Sequence, residues 1–470
     1  MAMHQILRQV VEVDVHGDEH MGFEVQRQVT EVCRHAVSKH LEIAMDSFDA
    51  DDRYYVIDRM EIDLGSVALK DLETALTRSL TAAVTMTMRE RGLRGRAPSS
   101  RASVGPKGIS SEEALFESVL HFLQHGRLPW WYTTRGESLE GLLMALLSSG
   151  SGKAWLGDVD SSSLQEAFVE RLSQVLCSDA RARERLRHQF SASCVLSVLK
   201  MLDMTQHDRL MAATTAVRKS SLRKPLLERL EGCLIGAAIE GVAKDSRREE
   251  HNTAAELVQI SVERLAPRLS AEERAELFHT LGVEVRTNTG ESSSSTQLAA
   301  GDAVAGDDVV VENAGVVLLH PFVPQFFDSV GIAKDGTLVH PARGALLLHH
   351  LATGALTAEE YELVLAKILC GIPMETPVPR EPPVTANEQG EAIKLLESAV
   401  RHWTVLRGTT ADGLRGNFLI RRGRIELRQD DWLLRVEPCS YDMLLESLPW
   451  GIAHLKFPWM SRLMQIEWSA

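Results

Sequence analysis

The run V-I-D-R-M-E-I-D-L-G (56–65) places two carboxylates, Glu61 and Asp63, two residues apart. On a strand such residues share a face, so the pair would suit acid–base work or the binding of a cation. Neither a histidine nor a third acid completes the site, and alternating charges are ordinary on a half-exposed strand. His320, His349, His350 and His402 are the second group that invites a metal. No two of them stand four apart on a predicted helix, and no cysteine or carboxylate lies at ligand spacing, so they read as structural residues. The six cysteines, at 33, 177, 194, 233, 370 and 439, include no CxxC pair, which removes a zinc ribbon or a thioredoxin-like site. A nucleophilic cysteine also needs a positioned base, and the sequence names none. The stretch from Leu147 to Ala154 imitates a phosphate loop, but Leu147 replaces its first glycine and Ala154 the hydroxyl that should hold Mg²⁺. It reads as a Gly/Ser turn. No catalytic residue, cofactor or metal is expected.

With 470 residues, 44% of them hydrophobic, the chain can bury more than one core, and two or three domains are expected. The formal net charge of −14 argues against general nucleic-acid binding, which needs clustered Lys and Arg, and favours solubility. One basic stretch, 89–108, mixes Arg89, Arg91, Arg94, Arg96, Arg101 and Lys107 with Gly, Pro and Ser. It has no aromatic residues on which bases would stack and reads as a linker. The longest apolar stretches, 141–147 and 344–352, fall short of the about 18 residues that cross a bilayer. The N-terminus lacks a basic region followed by an apolar run. Free thiols, synthesis in the cytoplasm and no membrane association are the expectation.

The elements that must position these residues follow from periodicity. Residues 5–15 alternate as a strand, 23–48 carry apolar residues at helical spacing, 55–64 alternate again up to Gly65, and 71–88 look helical. This predicts a small βαβα module within 1–90, followed by the basic linker, 91–110. A helix-rich region, 111–285, comes next, opened by Ser111 with Glu112 and Glu113 in the first turn. Helices are predicted over 111–125, 138–148, 161–177, 179–199, 205–218, 222–241, 252–267 and 270–281, with no sustained heptad. Residues 286–308 have almost no large apolar side chains and read as a flexible linker.

The last segment, 309–470, predicts an α+β domain. Helices are expected at 322–330, 341–353, 357–370 and 387–406, and Pro321 should stop the apolar run 316–319 after His320. Residues 418–420, 425–427 and 432–436 read as an antiparallel meander, with 464–468 as a fourth strand. Trp403, Trp432, Trp450, Trp459 and Trp468, five of the eight tryptophans, fall here. Trp450 and the Phe457-Pro458-Trp459 segment are either core or an exposed anchor for a partner, since tryptophan is enriched at binding hot spots. The whole chain is thus mainly helical α+β.

Several motifs stand out as complete phrases: N-A-G-V-V-L-L-H-P-F-V-P-Q-F-F (313–327), L-A-T-G (351–354), E-Y-E-L-V-L-A-K-I-L-C-G-I-P (360–373), D-G-L-R-G-N-F-L-I-R-R-G (412–423) and Y-D-M-L-L-E-S-L-P-W-G-I-A-H-L-K-F-P-W-M (441–460). Together with 56–65 and F-L-Q-H-G-R-L-P-W-W (122–131) they resemble the contractile injection system tape measure family of phage-tail-like particles. The positions that carry the resemblance include Asp58, Arg59, Glu61, Asp63, Gly65, Pro129, Trp130, His320, Pro321, Trp450, Gly451, Pro458 and Trp459. The resemblance implies a structural protein, not an enzyme, that works with inner-tube and baseplate proteins, and with copies of itself, during assembly. It limits how many tube rings stack, within a particle that can later be released. The alternative within the same particle is a baseplate-associated adaptor or nucleator that does not measure. A helical ruler converts residues to distance at about 1.5 Å each, so a fully helical chain would reach roughly 700 Å and the helical middle alone about 260 Å.

Overall fold

The computed structural model describes residues 109–134, 136–148, 161–243, 253–283, 309–429 and 431–468, and nearer the N-terminus 12–14, 22–32, 41, 53–54, 65–66, 71, 74–75, 78–80, 82 and 86. The chain forms two compact units, one of Met1–Leu115 with Trp130–Tyr132 and one of Phe116–Pro129 with Thr133–Ala470. In the first, α1 (Gly22–Val32) falls within the predicted helix, and β1 (Arg53–Tyr54) pairs antiparallel with β2 (Ile109–Ser110). Residues 12–14, inside the first predicted strand, belong to no regular element. Most of the remaining βαβα expectation lies outside the described residues.

The helices from residue 111 onward are built on their caps. Helix α2 (Ser111–His125) carries Glu112 and Glu113 in its first turn, and the capping hydroxyl is Ser110 Oγ, which accepts from the Glu113 N–H, one residue before the expected cap Ser111. The helix stops at Gly126, whose φ of +72° is the left-handed conformation of a helix end. Then follow α3 (Leu139–Ser148), α4 (Ser161–Ser178), α5 (Ala180–Gln189), α6 (Ala192–Leu202), α7 (Met204–Arg218), α8 (Lys224–Ala243), α9 (Ala254–Leu265) and α10 (Ala271–Leu281). Single side chains open several of them: Asp179 on α5, Ser191 on α6, Asp203 on α7 and Thr253 on α9 each accept from an N–H of the first turn. Ser270 and Glu273 form a reciprocal capping box on α10. Pro225 sits in the first turn of α8, where its missing N–H costs nothing. The predicted helix 179–199 is two helices, because Phe190 is extended (φ −109°, ψ 147°) and Ser191 caps a new start.

The C-terminal part alternates short helices with one mixed sheet. In order come β3 (Val309–Val311), a 3-10 turn (Ala314–Leu319), α11 (Val323–Ser329), the hairpin β4 (Ala333–Lys334) and β5 (Thr337–Leu338), and α12 (Pro341–Thr353). A 3-10 turn (Glu360–Leu363) leads into α13 (Val364–Leu369), followed by α14 (Ala386–His402) and α15 (Ala411–Leu414), which widens into one π turn over Arg415–Leu419. The chain ends with β6 (Gly423–Arg428), β7 (Asp431–Val436), a 3-10 segment (Ser440–Ser447), β8 (His454–Leu455) and β9 (Met464–Glu467).

The sheet runs β3-β6-β7-β9-β8. One row of partners, Val309, Ile425, Leu434 and Ile466, crosses four strands, and all four are buried. The opposite face carries Arg435, which bonds Glu467 (2.7 Å) and Glu426 (3.2 Å). That is the alternation of a sheet with one face on a core. Mainly helical α+β is therefore the architecture, and three details differ from the sequence expectation. Residues 418–420 are not a strand: Phe418 and Leu419, both buried, lie in the π turn that continues α15. The strand at 464–467 joins β7 in parallel, not antiparallel, because the 3-10 segment and β8 carry the chain back across before it enters the sheet. And β3, unnoticed in the sequence, extends the sheet antiparallel to β6.

The closest approach in this core is between the first turn and the π turn. A Cβ on Gly315 would lie 1.7 Å from the Phe418 carbonyl oxygen, and one on Gly423 2.7 Å from Ala314 Cβ and 2.9 Å from the Arg435 carbonyl oxygen. Gly315→Ala forces the backbones of 314–319 and 415–419 apart, and we expect it to cost at least about 2 kcal/mol, in the upper part of the overpacking range. Urea denaturation beside the half-buried control Gly390→Ala, where an added Cβ meets nothing within 4 Å, checks this.

Candidate functional site

Two groups of side chains do more than fill space. The first is the aromatic C-terminus. Trp450 donates its indole N–H to the Leu318 carbonyl at 3.0 Å and meets Phe322 edge-on at 5.3 Å. Trp459 donates to the Leu369 carbonyl at 2.9 Å, stacks on Phe457 at 5.1 Å and lies 5.7 Å from Phe327. Trp403 is buried against Phe418 at 4.8 Å and donates toward Leu444 and Ser447. A tryptophan is held this way when its apolar body and its single donor are both satisfied inside the fold. Trp450 and Trp459 thus pin the last thirty residues to the first helical turn and to the end of α13.

The second group was not singled out in the sequence. Arg185, Glu360 and Lys367 are each 0% exposed. Arg185 Nε lies 3.2 Å, and Lys367 Nζ 2.8 Å, from the same oxygen, Glu360 Oε1. Arg185 also donates to the Leu123 and Gln124 carbonyls (2.8 and 2.7 Å), which close α2, and to the Glu375 carbonyl. Lys367 donates to the carbonyls of Met374 (2.7 Å) and Thr376 (2.6 Å). Gln189 completes the group, accepting from the Glu360 N–H (3.1 Å) and donating to the Val378 carbonyl (2.7 Å). Burial pushes the Lys367 ammonium below its ordinary value, against the pull of Glu360. Gly126 is required here: its Cβ would fall 2.5 Å from Glu360 Oε1 and 2.9 Å from the Arg185 guanidinium.

The signal was present. The buried stripe of α5 is Ala182, Arg185, Leu186 and Gln189, a helical i, i+3, i+4, i+7 face in which two of four residues are polar. Glu360 and Lys367 sit inside the conspicuous 360–373 motif, seven apart.

The positions picked out by resemblance are scattered. Asp58, Arg59, Glu61 and Asp63 lie outside the described residues. Gly65 has φ +67°. Pro129 is buried and Trp130 half-buried; Pro321, Gly451 and Pro458 are exposed. His320 is half-buried, its Nδ1 3.1 Å from the Val317 carbonyl. Among the described residues no cluster of three His, Cys, Asp or Glu has metal-binding geometry, and no helix is long and apolar enough to cross a membrane. The described cysteines, 177, 194, 233, 370 and 439, are free thiols. Burial pushes the Cys194 thiol up to about 12, with Glu140 adding to it, and pushes Cys370 up as well.

His349 is buried with its Nδ1 3.5 Å from the Asn313 amide. Burial pushes its imidazole down to about 4; neighbouring His350 lowers it further and a backbone hydrogen bond at Glu362 opposes. Above pH 6.5, its ordinary value, it is neutral folded or unfolded. Below that the unfolded chain takes up the proton first, so stability is lost progressively down to about pH 4. The loss approaches about 3 kcal/mol. His349→Gln is expected to flatten the stability–pH curve across that window, measured by urea titration at each pH.

Replacing Glu360 tests the ionic group. Glu360→Gln leaves two buried cations facing each other and is expected to cost about 3–5 kcal/mol. Breaking the surface pair Arg264–Glu240, whose side chains are 40% and 39% exposed, should cost under about 1 kcal/mol. Comparing the two urea midpoints decides.

No curated protein and no solved structure matches the chain significantly. The family model described as contractile injection system tape measure protein matches residues 3–468. That match spans both ends, the helical segment and the Trp-anchored C-terminus described above, and the chain belongs to the contractile injection system tape measure protein family.

Proposed function

We propose that the chain is a structural component of a contractile, phage-tail-like particle and sets the length of its inner tube during assembly. The observation that carries this is the family match over residues 3–468. On this reading the chain works in the cytoplasm with inner-tube and baseplate proteins and with copies of itself, catalyses nothing, and is carried out only with a released particle. Distance is counted along α-helix at about 1.5 Å per residue, so the counting element is the helical segment, 161–281. The exposed motif residues Pro321, Gly451 and Pro458 are the proposed contacts of the folded C-terminus with its neighbours.

A second reading has one observation in its favour. Among the described residues, the hydrophobic cluster of the C-terminal part draws only on positions between Val309 and Ile466. A body with its own core suits a baseplate-associated adaptor or nucleator that starts the tube without measuring it.

Tandem duplication of 161–241 in the producing cell separates the two. The ruler reading expects tubes longer by about 120 Å, if the added residues are helical, in electron micrographs of purified particles. Particles formed in normal yield with unchanged length would sink the ruler and leave the adaptor.

A further inference from the structure

We infer that the seam between the helical segment (116–129 and 133–283) and the C-terminal segment (309–468) is a releasable joint, held by polar bonds that can open while both cores stay folded. The inference does not depend on which reading of the function is correct.

Three observations carry it. First, the C-terminal cluster takes no member from the helical segment among the described residues, so parting the seam does not breach it. Second, the bonds that cross the seam are polar: Arg185 and Gln189 reach Glu360 and the carbonyls of Glu375 and Val378, Arg181 pairs with Glu375 at 2.6 Å, and Arg380 approaches Glu140 to 3.7 Å. Among the described residues, the ring contact across it is Phe122 with Tyr361, centroids 5.9 Å apart. Water can replace such bonds, whereas it cannot replace apolar contacts.

Third, each side keeps its own partners when the seam parts. Glu360 retains Lys367, which bonds only within the C-terminal segment, to Glu360, Met374 and Thr376. Arg185 retains the Leu123 and Gln124 carbonyls on the helical side. A buried pair is hard to break when removing one partner strands the other charge in a dry site. Here the carboxylate keeps a cation, and the cation that leaves carries its acceptors with it into water.

Hydrogen exchange read by mass spectrometry on the intact chain, in sub-denaturing urea, tests the joint. Peptides covering 359–363, whose Glu360 N–H donates across the seam to Gln189, should exchange faster and with a shallower urea dependence than 344–352 in the C-terminal core and 232–239 in the helical core. Gln189→Ala removes two crossing bonds without stranding a charge, and should speed the seam peptides about tenfold while leaving both cores unchanged. Seam peptides that exchange only with global unfolding overturn the inference. So does a Gln189→Ala variant that accelerates either core as much as the seam, since the seam would then be part of that core.

Discussion

Glu360 is the one carboxylate that lets two buried cations exist. Arg185 and Lys367 both turn to its Oε1, and an unpaired charge in a site with no exposed surface is among the costliest defects a fold can carry. The rest of the arrangement follows from satisfying the remaining donors. The guanidinium reaches the two carbonyls that end α2, which have no partner within their own helix and carry the negative end of its dipole. The ammonium does the same for the loop after α13. The helix can close against the carboxylate only because residue 126 is a glycine. The position of α2, the course of the 370s loop and the register of α5 are therefore set by one oxygen atom.

The tryptophans solve a different problem at the other end of the sequence. The segment from 440 to 463 has little regular structure, so its backbone cannot hold itself in place by ladder bonds. Trp450 and Trp459 substitute for that ladder by donating to carbonyls at 318 and 369. Each bond joins the tail to residues roughly a hundred positions earlier, and the rings bury large area at the same points. This is why the aromatic residues cluster in the sequence where the secondary structure is weakest.

What the sequence could reveal divides along the same line. Helix limits were legible to within a residue or two where a side chain does the capping, as with Ser110 before α2, Asp203 before α7 and Ser270 before α10, because capping is local chemistry. The break at Phe190 and Ser191 was missed because a Phe in mid-stripe looks like more helix. Residues 418–420 have the types of a strand; the close approach of Gly315 to the Phe418 backbone and the packing of Phe418 on Trp403 override that preference. The parallel entry of β9 depends on the whole connection 437–463 between it and β7, which no local pattern encodes. Arg185 is not legible from local pattern because its partners lie from 61 to 190 positions away.

The helical segment can be straightened only at a cost that its caps and its buried faces set. Between Ser161 and Arg218 the chain is helical except at Asp179, at Phe190 and Ser191, and at Asp203. The turns are thus one or two residues long, each held by a single cap, and each cap is worth only about 1 kcal/mol. Straightened through these points, 161–218 would form one helix of roughly 87 Å. The hinges offer little resistance to that change. Resistance comes from the apolar faces: Leu172, Leu176, Leu186, Val195, Leu199, Leu210 and Val217 are all essentially buried, and each contributes about 1.5–3 kcal/mol through burial. Losing those contacts outweighs the caps several-fold, so the segment cannot lengthen alone. It can do so only where another surface covers the same stripes.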